Sequence, residues 1–123
     1  MASAQRQFDV FVLRYVPSVL EDRFINIGIL LSERGEAGFS DSRFLRDWQQ
    51  VRSFDPDADV EMLASLAREI KEGWKQPTER AELLRRMLEF SGAAQLSLAE
   101  TVVTDDPVEE LERLASTLHR QEP

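Results

Sequence analysis

The polar residues best placed to do chemistry in this sequence sit in and beside its first two apolar segments. Arg14 and Tyr15 close the run Phe8-Asp9-Val10-Phe11-Val12-Leu13-Arg14-Tyr15, and Arg23, Asn26 and Gly28 fall in or just before the next one. A guanidinium, a phenol and a primary amide together supply donors suited to an anionic group or to a partner's loop. A glycine inside a strand marks a place where something approaches the backbone closely. Arg14, Tyr15, Arg23, Asn26 and Gly28 are therefore the candidate binding residues, lining a polar notch in an apolar sheet face. The competing reading is structural: a helix packs over Gly28, while Asn26 and Arg14 bond to backbone and carboxylates.

A second constellation is Asp55-Pro56-Asp57-Ala58-Asp59. Acids at alternate positions open a calcium-binding EF-hand loop, but that loop needs glycine at its sixth position and glutamate at its twelfth. Here those positions are Val60 and Leu66. Acids at a helix N-terminus are favoured electrostatically without any metal, so no metal is expected. Asp55, Asp57 and Asp59 are the residues that would hold magnesium if a substrate phosphate completed its shell. Nucleophilic catalysis lacks its parts: there is no cysteine, and the one histidine, His119, falls in the last turn of a terminal helix, where its cation suits the helix C-terminus. The five glycines are scattered and form no phosphate-cradling loop, so no cofactor and no catalytic residues are assigned.

The elements that must position these residues follow from periodicity. Residues 8–15 are apolar on both alternating faces, which predicts a central strand ended by Val16-Pro17. In residues 24–31, Ile25, Ile27, Ile29 and Leu31 form one apolar face, predicting an antiparallel partner across a loop of about six residues. Residues 37–39 read as a short third strand. Phe44, Leu45, Trp48 and Val51 recur at helical spacing, predicting a helix over 41–53. A second helix, capped by Asp57 or Asp59, carries the stripe Leu63, Leu66, Ala67, Ile70 and Trp74, with Gly73 near its stop. Thr78 caps a third, bearing Leu83, Leu84, Met87 and Leu88. Residues 95–103 return to strand. Asp106-Pro107-Val108-Glu109 then starts a terminal helix, with proline at N1, glutamate at N3 and a buried face of Val108, Leu111, Leu114, Ala115 and Leu118. The expectation is an α+β fold: a small antiparallel sheet that starts with a β-hairpin, packed with about four helices, in a single domain over 1–123 with an ordered core of about 8–119.

Composition bounds the rest. With 23 acids against 15 bases, the 123 residues carry a formal net charge of −8. Residues 1–54 hold seven bases and seven acids, so all of the excess lies later: residues 55–61 net −4, 62–98 net +1, and 99–123 net −5. That distribution argues against nucleic acid docking on the acidic elements and fits a helix face that stays solvated or meets a basic partner. No apolar run approaches the roughly 20 residues of a membrane span. The N-terminal residues lack an apolar signal region, so a cytoplasmic, membrane-free protein is expected. Arginine outnumbers lysine 13 to 2.

The run Leu13-Arg14-Tyr15-Val16-Pro17, followed by Arg23-Phe24-Ile25-Asn26-Ile27-Gly28-Ile29-Leu30-Leu31, resembles the opening of the bacterial domain-of-unknown-function family 3037. Members of that family begin with an RYVP-type strand and a VNVG-type strand. The stretch Phe54-Asp55-Pro56-Asp57-Ala58-Asp59 before a helix, and Thr104-Asp105-Asp106-Pro107 before the last one, agree in order and spacing. The family pattern often has Gly-Glu or Glu-Glu where this chain has Asp22-Arg23. The resemblance implies no activity, but it implies a gene neighbourhood with a HipA-like kinase. The function expected is thus a non-catalytic interaction or accessory module, partnering such a kinase in a stress or phage-defence system. One alternative is a metal-dependent nucleic-acid or nucleotide processing domain using Arg14, Arg23 and the acids near Asp55. Another is an acidic mimic of nucleic acid.

Overall fold

The computed structural model describes residues 6–17, 23–35, 38–76, 79–80, 82–83, 85 and 94–121, and the side chains of all of these except 97–99. Four strands, β1 (Gln7–Tyr15), β2 (Ile25–Glu33), β3 (Ser40–Phe44) and β4 (Ala94–Val103), form one antiparallel sheet in the order β3-β2-β1-β4. The helices among the described residues are α1 (Gln49–Phe54), α2 (Val60–Trp74) and α3 (Pro107–Ser116), and a 3-10 turn over Thr117–Arg120 continues α3. The architecture is α+β, as expected, with about three continuous helices among the described residues where about four were expected. Of the helix expected after Thr78, residues 79, 80, 82, 83 and 85 are helical and the others lie outside the described residues.

The first hairpin forms where the apolar runs place it, and β1 and β2 are the central strands. Strands apolar on both faces demand cover on both, because each face left in water would forfeit about 25 cal/mol for every Å² of apolar surface. One face takes α2: Trp74 meets the Phe11 ring edge to face at 5.5 Å, and its indole donates to the Leu31 carbonyl at 2.9 Å. The opposite face takes α3, whose Leu111 and Ala115, with Leu118 beyond them, are buried. Two irregularities bend the ladder, one between Val10 and Phe11 against β4 and one between Leu13 and Arg14 against β2. The second inserts Ile27, so that Leu13 faces Gly28 while Arg14 faces Asn26.

The largest correction concerns residues 37–53. The third strand is not 37–39 but Ser40–Phe44, and the helix expected over 41–53 is only Gln49–Phe54. The apolar spacing of Phe44, Leu45, Trp48 and Val51 is compatible with a helix. Pairing of Ser40, Asp41, Ser42, Arg43 and Phe44 with Ser32, Leu31, Leu30, Ile29 and Gly28 outweighs that local preference. The edge so created is closed by its own side chains. The Ser42 amide donates to Asp41 Oδ1 at 2.8 Å, and its carbonyl accepts from Arg43 Nη1 at 2.9 Å, which blunts pairing with another strand.

The caps agree with the sequence. Asp59 accepts from the Met62 amide at the start of α2, and Asp106 accepts from the Glu109 amide at the start of α3, with Pro107 in the first turn. One detail differs: Val108 is 50% exposed and Pro107 takes its place in the buried face. Gly73 is the last residue but one of α2, near its stop as expected, and an added Cβ there would come within 2.6 Å of Leu83.

The start of β1 is pinned by Arg6, whose Nε and Nη2 each donate to a Glu33 carboxylate oxygen at 2.9 Å, while the Phe39 amide donates to Glu33 Oε1. The Arg6 bond and then the Phe39 amide hold the Glu33 carboxyl down at about 2, against an ordinary 4.5, with burial opposing them. Because the folded value is the lower one, this contribution to stability is complete above pH 4.5 and is lost as pH falls towards 2. Glu33→Gln should therefore flatten the acid limb of the stability profile over that window. Urea unfolding at a series of pH values checks this, and equal slopes for both proteins would remove Glu33 from the account.

Candidate functional site

The residues singled out from the sequence do converge on the end of the first hairpin, but the sheet divides them. Arg14 and Tyr15 are neighbours in β1, so their side chains leave opposite faces. Tyr15 turns towards the connection between α1 and α2, where its hydroxyl donates to Asp55 Oδ2 at 2.6 Å. Burial, and then the bond to Asp55, push the phenol up to about 12. Arg23 reaches the same corner: its Nη2 donates to the Phe54 carbonyl at 3.3 Å, and its guanidinium lies 4.6 Å from the centre of the Phe54 ring. Tyr15, Arg23 and Asp55 thus tie the hairpin to the helical layer.

Arg14 and Asn26 form the other half. They are direct partners across the ladder, and the Arg14 guanidinium stacks 4.4 Å from the centre of the Phe24 ring, which is itself 47% exposed. The Asn26 backbone is clamped by Gln121: its amide donates to Gln121 Oε1 at 2.8 Å and its carbonyl accepts from Nε2 at 2.7 Å. This pseudo-ladder anchors the turn after α3 on β2. The Asn26 side-chain oxygen is buried without a hydrogen-bond partner among the described residues.

Gly28 is a close-approach position, as a strand glycine suggests, and what approaches is not a helix. The Phe44 ring of β3 occupies the space, with two ring carbons 2.6 Å from where a Cβ would stand. Nor do the aspartates gather as metal ligands. Asp55 spends one oxygen on Tyr15 and the other on the Asp57 amide, and Asp59 caps α2. Among the described residues no three acidic or histidine side chains form a metal-binding group. His119 sits in the 3-10 turn after α3.

One feature that sequence reasoning missed lies beyond Phe44. Arg43 donates to Glu112 Oε1 at 2.7 Å and to Asp41 Oδ2 at 3.0 Å, fastening β3 to α3. Burial opposes the charge, yet those two carboxylates hold the Arg43 guanidinium above its ordinary value. Two hollows of about 350 and 300 Å³ adjoin there, sharing Arg43, Phe44 and Arg46. The only sequence signal was the excess of arginine, which carries no position.

These arrangements define a small α+β domain whose hairpin polar groups are largely used to join layers. The family described as "Protein of unknown function (DUF3037)" matches residues 11–118 of the 123 residues, and the chain belongs to that family. No curated protein and no solved structure matches the chain. No helix among the described residues is long and apolar enough to cross a membrane.

Two substitutions check the site's construction. Tyr15→Phe keeps the ring but leaves Asp55 Oδ2 without its donor, and should cost about 1.5–3 kcal/mol in denaturant unfolding, as for hydrogen bonds to charged groups. Gly28→Ala should cost about 1–3 kcal/mol by overpacking against Phe44. Most of that cost should vanish in a Phe44→Ala background, and additivity in the double-mutant cycle would mean that the ring is not the obstacle.

Proposed function

We propose that this chain is a single-domain, non-catalytic interaction module of a bacterial cytoplasm, and that its partner is a HipA-like kinase in a stress or phage-defence system. The observation that supports this reading is the exposed Phe24 ring, held against the Arg14 guanidinium at the loop end of the first hairpin. Aromatic and arginine side chains dominate the energetics of protein interfaces. Tyr15, Arg23 and Gly28 serve this surface from behind, by fixing the hairpin to α1 and to Phe44. The kinase itself is suggested by the family's gene neighbourhood.

Co-expression with the neighbouring kinase should give a single complex on size-exclusion chromatography at micromolar concentration. Phe24→Ala should weaken it at least tenfold, as loss of an interface hot spot does. Two separate peaks for the wild-type pair would refute the kinase as partner, and an undiminished complex with Phe24→Ala would move the contact away from the hairpin.

A further inference from the structure

The two hollows astride β3 carry a charge opposite to that of the protein as a whole. The larger is lined by Arg43, Arg46, Arg68 and Lys71 with Phe44 and Trp48, and no carboxylate takes part. The smaller adds His119 and Arg120, and its one acid, Glu112, is already bonded to Arg43. Arg46, Arg68 and Lys71 are exposed and, among the described residues, make no hydrogen bond or ion pair. These cations come from residues 1–54 and 62–98, the neutral and slightly positive parts of a chain whose −8 is concentrated elsewhere. With a Debye length of about 8 Å at physiological salt, the local cations outweigh the distant acids.

Three uncompensated cations around one concave surface favour a multiply charged anion. The rings decide which kind. Trp48 and Phe44 are half-buried and line the same hollow, and a planar base is what a flat aromatic wall beside a row of cations accommodates. An acidic peptide would satisfy the charges and leave the rings without a planar partner. A volume of about 350 Å³ is within the range of small-ligand sites.

We propose that this groove binds a nucleotide, its phosphate on Arg46, Arg68 and Lys71 and its base against Trp48. The adjoining hollow, with Arg120 and His119, receives the next phosphate when the nucleotide is part of a single strand. Arg43, held by Asp41 and Glu112, positions the Phe44–Arg46 ridge between the two hollows. The site is separate from the hairpin surface assigned to the protein partner, and its test does not involve that partner.

The experiment uses the full chain with two probes, adenosine monophosphate and a fluorescein-labelled single strand of about ten nucleotides, a length within the span of known single-strand grooves. Both should quench the Trp48 emission, a response absent from Trp48→Phe, since Trp74 is buried. The double variant Arg46→Glu, Arg68→Glu should lose at least about tenfold in affinity by anisotropy, as removal of charge-assisted phosphate contacts predicts. Arg52→Glu, the same kind of charge reversal at one exposed position of α1 outside both hollows, should not. If the second hollow is used, the strand binds tighter than the mononucleotide and loses roughly 20-fold between about 50 and 200 mM salt; equal affinities make the free nucleotide the ligand. Absence of binding by either probe, binding untouched by the double variant, or an equal loss in Arg52→Glu would overturn the proposal. Circular dichroism confirms folding, and if the double reversal unfolds the chain, Arg68→Gln with Lys71→Gln carries the same test.

Discussion

The contact of the Phe44 ring with Gly28 is the constraint on which the described structure turns. β2 runs through the middle of the sheet with side chains buried on both faces, and only at Gly28 does it leave room for an aromatic ring from its neighbour. Because Phe44 fills that space, β3 closes onto β2 as the sheet edge, and Leu45 continues the pairing through its amide to the Ile27 carbonyl. Arg43 then points away from Phe44, towards α3, and ties the edge strand to Glu112. One missing Cβ thereby fixes the edge strand, its link to the terminal helix and the ridge between the two basic hollows.

Around that contact the polar groups divide their labour between layers. Tyr15, Arg23 and Asp55 join the hairpin to the α1–α2 corner, whereas Asn26 and Gln121 join it to the turn after α3. The neutral bonds are worth about 1 kcal/mol each and the one to Asp55 about 1.5–3 kcal/mol, small beside the summed apolar burial of Trp74, Leu30, Leu31 and Leu111. Their role is to select one arrangement of helices on the sheet. The charges follow a similar division. Acids at the starts of α2 and α3 act as caps, while Arg46, just after β3, and Arg68 and Lys71 of α2 are left around a concave surface.

How much was legible in the sequence depended on the range of the interaction concerned. The hairpin, its central position and the capped starts of α2 and α3 rest on periodicity and on hydrogen bonds spanning a few residues, and they stand where the pattern puts them. The segment 40–48 was misread because its apolar spacing suits a helix, while its strand pairing depends on Gly28 and Leu30, more than ten residues earlier. A glycine inside a strand marks Gly28 as a close-approach position, whereas the spacing of Phe44, the group that approaches it, suits a helix. The notch of Arg14, Tyr15, Arg23, Asn26 and Gly28 is contiguous along the chain and split in space, since adjacent strand residues leave opposite faces of the sheet.

By itself the sequence determined the family, the antiparallel hairpin at the start, the helix caps, and the separation of acidic from neutral segments, because each is written in residue types within a turn or two of one another. The tertiary structure decided which strand lies at the edge, what covers Gly28, and which arginines are neutralised. Those depend on where Arg43 meets Glu112, and on Arg46 and Arg68 lining one hollow from different elements. A count of 13 arginines fixes a charge, and only packing fixes a field.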